Sequence, residues 1–451
     1  MEIEIGDLIT VNPYALGSSG EAIGDSDGFK IFIDGALPNE EVSVRITTVK
    51  KNYARGNVER IIISSPDRVK PPCPYYDRCG GCQLMHLSYQ GQLSVKRQKV
   101  IDALQRIGGQ SNAAVSPCMP SPDALHYRNK IQLPIVPGPQ GTKIGLYARN
   151  THEVVAVDRC MIHCILGEEV YSQVQQMLKE SGIAPYDEKT GQGTLRHLLI
   201  KSAIGTGEVL IILITTGKEN RKVQEVCDAI MEICPSVKGV VENINKRSDN
   251  VIMGKTFITR AGQGHIIEKL SGLYFKMSPP SFFQVNPLQA DHLYAKAIQL
   301  AELNEGKSVL DAFCGVGTLA LIASESAADV HGIETVAEAI EDAKENARMN
   351  GITNCSFTCG KAEKLVPKMK SFDVTLLNPP RKGCDPALLN CLASKTLIYV
   401  SCDPATLARD IAILIARGYE LDGVFPFDMF PQTMHVETVV RLRAVTQQRP
   451  R

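Results

Sequence analysis

The sequence predicts a multidomain fold: an N-terminal OB-like β-barrel, an α+β middle domain and a C-terminal α/β Rossmann-like domain. Three observations carry this expectation. The chain has 451 residues, 44% of them hydrophobic, and at roughly 150 residues per domain that is about three cores rather than one. Residues 1–65 alternate apolar and polar in short runs, the pattern of a small sheet. The last third instead alternates apolar strands with helical stretches, the pattern of a mainly parallel sheet covered on both faces.

In chain order, GDLITV, GFKIFIDG, EEVSVRITTV and GNVERIII read as short strands, and a small closed barrel of the OB type accommodates them. The linker PDRVKPP ends this segment. A cysteine-rich stretch, CPYYDRCGGC, precedes a predicted helix in SYQGQLSVKRQKVIDALQRIGG, where Leu93, Val100, Ile101, Leu104 and Ile107 fall at helical intervals before a glycine pair. Between about 120 and 280, KIQLPIV, HEVVAVD, RHLLIKSA and EVLIILIT read as strands with one helix near 166–180. After PPSFFQVNP come a helix near 287–303 and the strands SVLDAF, DVHGIE, CSFTCG, FDVTLLN and TLIYVS. GVFPFDMFPQTMHVETVVRLR closes the chain as two further strands around a proline-containing loop. The expected domains are therefore 1–65, 66–280 and 281–451.

Lysine and arginine (49) balance aspartate and glutamate (49), so any polyanion binding has to come from local patches. One such run holds Arg45, Lys50, Lys51, Arg55, Arg60, Arg68 and Lys70 against only Glu59 and Asp67. No stretch approaches the roughly 18 apolar residues of a membrane helix, and MEIEIGDLIT lacks the basic and apolar features of a secretion signal. A cytoplasmic protein is expected. The 14 cysteines then point to metal or thiol chemistry rather than disulfides.

The strongest local signal is SVLDAFCGVGTLAL, a strand ending in Asp311, a turn with Gly315 and Gly317, and a helix start. Ligands of such folds lie at the carboxyl ends of the strands, where glycines allow close backbone approach. The next strand ends in Glu334, where a carboxylate can bond both hydroxyls of a ribose. A dinucleotide site would need a third glycine, yet Leu319 and Ala320 stand there. This turn, Glu334 and the Asn378-Pro379-Pro380 triplet together resemble the S-adenosylmethionine-dependent methyltransferases.

Methylating carbon 5 of uracil demands a thiolate that adds at carbon 6 and a base that removes the carbon 5 proton. IYVSCDPATLARD puts Cys402 just beyond a predicted strand, on the sheet edge of Asp311 and Asn378. Most free cysteines are inert packing residues. SCDPATLARD, FPQTMHVE and FFQVNP, in their order along the chain, resemble the signature set of the uridine-5 RNA methyltransferase family. The resemblance covers essentially the whole chain. It implies Cys402 as nucleophile and Glu437 as base, with Gln284, Phe313, Glu334 and Asn378 at the methyl donor or beside it and Phe282 near a flipped uracil. The family usually has Asp where this chain has Asn378, which removes a carboxylate but leaves a carbonyl acceptor. Two other readings compete: an enzyme of exocyclic amino groups, whose Asn-Pro-Pro is followed by an aromatic residue where this chain has Arg381, and a non-catalytic RNA-binding factor.

Cys73, Cys79 and Cys82 can converge on one centre with a remote fourth ligand, Cys160 or its neighbour Cys164. From spacing alone zinc and an iron–sulfur cluster are both open. The resemblance, to the family's ribosomal-RNA branch, implies a 4Fe-4S cluster on Cys73, Cys79, Cys82 and Cys160. His86 and His163 lie nearby and, as lone histidines, read as surface or hydrogen-bonding residues. The N-terminal barrel resembles the TRAM domain, an RNA-binding module, and the barrel with the cysteine set implies 23S ribosomal RNA as substrate before transfer RNA. The assignment carries a geometric condition: Glu437 must fold back to Cys402 beside Asn378.

Overall fold

The computed structural model describes residues 3–139 and 141–445. Residues at the ends of the expected segments 1–65 and 281–451, and Gln140 within 66–280, lie outside that description. None of its helices is long and apolar enough to cross a membrane.

Strands β1 (Leu8–Val11), β2 (Ala15–Leu16), β3 (Ala22–Ser26), β4 (Phe29–Asp34), β5 (Glu41–Val49) and β6 (Tyr53–Ile63) form one sheet in the order β1-β5-β6-β4-β3-β2. Their inward residues Val11, Ala22, Ile31, Ile33, Val42, Val44, Ile46 and Ala54 make a single core. The sheet curls until the end of β1 lies on β3: a Cβ on Gly24 would sit 2.4 Å from the Val11 side chain. Edge strands β1 and β2 share no ladder among the described residues, because β2 is only two residues long. The sheet is thus OB-like, but no ladder among the described residues closes it into the expected barrel.

Helix α1 (Tyr89–Arg106) starts at Ser88, whose hydroxyl accepts from Gly91 N at 3.1 Å. Its apolar face, Leu93, Val100 and Leu104, packs far along the chain against Leu407, Ala408 and Ile411. The middle sheet comprises β7 (Lys130–Gly138), β8 (Gly141–Tyr147), β9 (Val154–Ala156), β10 (Leu195–Ala203), β11 (Glu208–Thr215), β12 (Val237–Ile244) and β13 (Thr256–Gly262). Their order is β13-β12-β11-β10-β7-β8-β9. Helices α2 (Ile165–Glu180) and α3 (Asn220–Ile233) cover one face. The hairpin β14 (Ile266–Leu270) and β15 (Leu273–Met277) covers the other through Ile266 and Met277, which is why every residue of β10 is buried. The sequence reading names one helix here; α3 is a second, with Val223, Val226, Cys227 and Ile230 buried at helical spacing.

The C-terminal layer begins with α4 (Pro287–Ala301), then β16 (Ser308–Asp311), α5 (Thr318–Ser324), β17 (Asp329–Glu334), α6 (Ala337–Met349), β18 (Cys355–Cys359) and α7 (Ala362–Leu365). It continues through β19 (Val374–Leu377), α8 (Pro386–Cys391), β20 (Thr396–Ser401), α9 (Pro404–Ala416), β21 (Tyr419–Phe427) and β22 (Glu437–Ala444). The order is β18-β17-β16-β19-β20-β22-β21, parallel from β18 through β20 and antiparallel beyond. Strand order reverses between β16 and β19, and the crevice at such a switch point is where these sheets hold ligands.

The 428–436 loop, which joins β21 to β22, is anchored to the first half of the chain. Lys96 on α1 and Asp428 are both fully buried and ion-paired, and Lys96 Nζ also donates to Phe430 O at 3.0 Å. Gln92 Nε2 donates to Gln432 Oε1 at 3.0 Å, and Gln83 N and Leu84 N donate to Gln432 O. Burial pushes Asp428 up and Lys96 down, each opposed by its partner. Replacing Lys96 with Met strands a buried carboxylate and should cost about 3–5 kcal/mol in denaturant unfolding, whereas adding Asp428→Leu should recover most of the loss. Equal stability of single and double variants would refute the pair as the anchor.

Candidate active site

Five strand ends meet at one crevice. Asp311 ends β16, Glu334 ends β17, and Asn378 and Cys402 follow β19 and β20. Strand β22 enters from the opposite direction. Its ladder with β20 ends at Ser401↔Thr438, so Cys402 lies opposite Glu437, the first residue of β22. All five side chains line a cavity of about 1020 Å³ together with Gln284, Phe313 and Cys73, Cys79, Cys82 and Cys160. That volume admits a nucleoside-sized cofactor and a base together.

The turn after β16 is built for backbone approach. Gly315 (φ +55°) would point a Cβ into open space, whereas one on Gly317 (φ +86°) would meet Ala343 and Phe357 at 3.2 and 3.3 Å. Gly315 is thus open to a ligand and Gly317 serves the packing of the turn. Leu319 and Ala320, where a dinucleotide fold needs glycine, are core. Glu334 Oε1 accepts from Thr335 N, Thr335 Oγ1 and Val336 N at 2.6, 2.9 and 3.0 Å. That fixes the carboxylate and leaves Oε2 for an incoming hydroxyl. Asp311 is buried, and burial with the charge of Glu334 raises it to about 7.

The segment 278–286 carries the aromatic wall. Lys201 Nζ donates to Ser278 O and Ser281 O, both at 2.8 Å, and Asn129 N donates to Val285 O at 2.9 Å. Between these clamps Phe282 is 71% exposed while Gln284 is buried, so Phe282 offers a bare ring at the cavity wall.

Cys402 sits between Ser401, whose hydroxyl accepts from Asp403 N at 3.1 Å, and Asp403, which caps α9 through Ala405 N and Thr406 N. Burial and then the Glu437 charge raise its thiol to about 11, while Arg381 pulls the other way. Burial raises Glu437 to about 8, again opposed by Arg381. Burial thus favours the thiol and the carboxylic acid forms of the pair, with Arg381 the charge that favours ionising both. The loop bearing Asn378 and Arg381 is gripped by α9: Thr406 Oγ1 donates to Arg381 O at 3.1 Å and Arg409 Nη2 to Lys382 O at 2.9 Å. Buried Asp410 accepts from Tyr399 Oη at 2.6 Å and Cys384 N at 2.8 Å.

Two residues passed over in the sequence belong to the site. Tyr294 of α4 lies among Gln284, Glu437 and Asp311, and burial raises its hydroxyl so that it stays a donor. Its spacing on an amphipathic helix looks like core, and no motif marks it. His435 lines the cavity as an exposed residue inside an otherwise buried run; the motif FPQTMHVE contains it, and only the fold shows where it points.

All 14 cysteines are free thiols. Cys73, Cys82 and Cys160 pack on Tyr76, Met85, Tyr127 and Ile162, and Cys82 feels Cys160, Cys79 and Cys73. Burial pushes Cys160 up to about 12. The knuckle docks on β8 through Gly80 N to Tyr147 O at 2.9 Å, and Arg149 lies over Tyr76 at 5.1 Å. Among the described residues no group of three or more His, Cys, Asp or Glu is set at metal-holding distance. The four thiols share one pocket and suit a thiolate-ligated group in donor chemistry, but they are not drawn into a cage. Cys164 is otherwise engaged, capping α2 by accepting from Gly167 N at 3.4 Å. His163 meets Glu168 at 2.6 Å and His86 meets Tyr76 Oη at 2.5 Å.

The basic run of the N-terminal barrel is partly neutralised. Arg45 pairs with Glu59 at 2.9 Å and Arg68 with Glu40 at 2.6 Å, while Arg55 lies over Phe32 at 5.4 Å. Lys50, Lys51, Arg60 and Lys70 stay exposed, with no carboxylate partner among the described residues.

Comparison with known proteins agrees with this layout. Residues 4–58 match the TRAM domain family and residues 303–412 a methyltransferase domain family. A protein of Clostridium acetobutylicum described as an uncharacterized RNA methyltransferase is 42% identical over 438 residues, 95% of each chain. Another so described, from Halalkalibacterium halodurans, is 40% identical over 443 residues, 97% of each chain. Among solved structures, the Pyrococcus abyssi tRNA (uracil-54, C5)-methyltransferase in complex with S-adenosyl-L-homocysteine superposes with a TM-score of 0.77 at 28% identity. The match covers 96% of this chain and 100% of that one.

Gly383 tests the grip of α9 on the Asn378–Arg381 loop. Its φ is +76° and a Cβ there would lie 2.5 Å from Arg409 Nη2 and 2.6 Å from Asp410 Oδ2. Gly383→Ala should lower stability by about 1–3 kcal/mol and reduce turnover more than cofactor affinity. Thermal unfolding and steady-state kinetics read both, and a variant with unchanged turnover would show that the loop needs no such grip.

Proposed function

The chain belongs to the RNA methyltransferase family of its curated relatives, and from that premise we propose that it methylates carbon 5 of a uridine through a covalent Cys402–uracil carbon 6 adduct. The observation that carries the reading is the β20–β22 ladder, which sets a thiol against a carboxyl group at the switch-point crevice. S-adenosylmethionine supplies an electrophilic methyl; Glu334, Gln284, Phe313 and Asn378 are the residues proposed to hold it or border it.

The chain's own groups act as follows. Phe282 offers a stacking surface to a uracil swung out of its stack. Arg381 favours the thiolate of Cys402, which bonds to carbon 6 and leaves electron density at carbon 5 to take the methyl. Glu437, as carboxylate, removes the proton from carbon 5; the electrons return to the ring, the carbon 6–sulfur bond breaks and the thiolate leaves. Tyr294 is placed to hold Gln284 and donate toward the carboxylates. Asn378 offers its carbonyl to the uracil N–H, the role a carboxylate would otherwise play.

Large-subunit (23S) ribosomal RNA is the substrate we favour, on the combination of TRAM barrel and cysteine set. Transfer RNA is the second reading, favoured by the similarity to the Pyrococcus abyssi tRNA enzyme over nearly the whole chain. Mapping 5-methyluridine in both RNAs from a strain lacking this protein separates them. We further propose a 4Fe-4S cluster on Cys73, Cys79, Cys82 and Cys160, holding the knuckle rather than taking part in methyl transfer. Protein prepared without oxygen should be brown with acid-labile sulfide and lose both in Cys79→Ser; colourless, sulfide-free protein would overturn the cluster.

Cys402→Ala should abolish the covalent RNA adduct and cut turnover by on the order of 10³-fold or more, while Glu437→Gln should trap the adduct. Tritium release from carbon 5 of labelled RNA reads the chemistry, and normal release by Cys402→Ala would sink the mechanism. Because Glu437 must be ionised and is raised to about 8, kcat/KM should climb with pH through that value. A flat profile there would remove Glu437 from the role of base.

A further inference from the structure

We propose that Arg381 and Arg128, which line the cavity with His435, and Lys99, which is tied to the residue before it, bind a phosphate of the RNA backbone beside the uridine whose base enters the cavity. The inference rests on the RNA reading above and assigns which residues hold the strand there.

Three observations carry it. First, His435 is exposed while the four residues before it and the residues after it through Val440 are buried, so the fold thrusts this one ring into the opening. Second, Arg128 and Arg381 line the cavity with His435, and its imidazole is held neutral, at about 4, by partial burial and then by the cations Arg381, Lys99, Lys96 and Arg128. Third, three of these cations are not neutralised. Lys96 is consumed by Asp428, but Arg381, Lys99 and Arg128 have no carboxylate within ion-pair distance among the described residues. The carboxylate nearest Lys99 in effect, Asp403, is occupied in capping α9. Lys99 is itself depressed by Lys96 and Arg381 after burial. Gathering like charges without a counter-charge costs stability, and a bound anion removes that cost.

The rest of the geometry selects the kind of anion. Arg128 is held by Nε to Lys130 O at 3.0 Å, which leaves its terminal amino groups to form the fork that suits a phosphate. Lys99 Nζ donates to Met434 O at 3.0 Å, which keeps the cation beside the ring. His435 lies two residues from Glu437, at most about 7 Å of chain, so an anion there is one nucleotide's reach from the base-handling groups. The Phe430 ring packs edge-on to His435 at 5.8 Å and steadies it. A nucleotide entering this mouth meets cations at its phosphate and Phe282 at its base, the division between positioning and reading contacts usual in nucleic-acid sites.

The test is the salt dependence of RNA binding. The full chain, with Arg128→Gln and Arg381→Gln variants, is titrated with a hairpin RNA carrying a loop uridine over a range of potassium chloride concentrations. Each variant should weaken binding about tenfold and flatten the plot of log affinity against log salt by about 0.7–1. Affinity for S-adenosylhomocysteine, measured on the same preparations, shows that the variants are folded. Unchanged slopes in both variants would overturn the phosphate site. So would a fall in turnover with an unchanged slope, which would assign these residues to the chemistry alone. Absence of tritium release by the unaltered enzyme would instead sink the carbon 5 reading and leave the slopes as they are, so the two failures are distinguishable.

Discussion

The buried contact between Lys96 and Asp428 is the constraint on which the crevice depends. It pairs a residue near the middle of α1 with the loop that delivers β22, and β22 carries Glu437 to its place opposite Cys402. Two opposite charges at zero exposure are stable together and costly apart. The remaining ties of the same loop, Gln432 N to Gln92 Oε1, Gln83 N and Leu84 N to Gln432 O, and the Tyr127 hydroxyl to Pro431 O, saturate backbone groups that burial would otherwise leave unpaired. Gln432 adopts φ +71° within this web, a conformation that so many partners can sustain.

Around that frame the crevice is electrostatically restrained. Glu437, Asp311, Cys402 and Tyr294 are all pushed toward their neutral forms by burial, while the cations stand nearer the mouth. Buried groups held neutral beside cations make the opening attractive to a polyanion. Arg381 belongs to both zones, since it acts on Cys402 and Glu437 below and on His435 above.

Much of this was legible in the sequence. Strand and helix periodicity gave the alternating layers, the glycine turn and Glu334 pointed to one side of the crevice, and SCDPATLARD with FPQTMHVE pointed to Cys402 and Glu437, which the β20–β22 ladder sets opposite each other. What was hidden is long-range. That α1 would leave the cysteine region and pack on α9 depends on Leu93 and Val100 finding Leu407 and Ile411, a match no local window contains. The basic run looked almost unopposed because its partners Glu40 and Glu21 lie outside it in sequence. Tyr294 and Lys201 are indistinguishable from core and surface residues until the loops they touch are known. The four thiols show the converse limit: their spacing marks them as a set, while the fold brings them to one pocket without closing a cage.

The anchoring of the 428–436 loop also has a consequence for how the chain comes to be active. Its partners, at Gln83, Lys96, Ala124 and Tyr127, precede it by more than 300 residues of sequence. The N-terminal barrel reaches the same place, since a Cβ on Gly20 would lie 3.4 Å from Met434. Contacts of such sequence separation form late and slowly. The barrel and the middle sheet can therefore fold ahead of it as separate units, and thiol and carboxyl group face each other only once β22 has joined β20. The crevice is in this sense assembled across the chain: its acid group is set in place by contacts made more than 300 residues away in sequence.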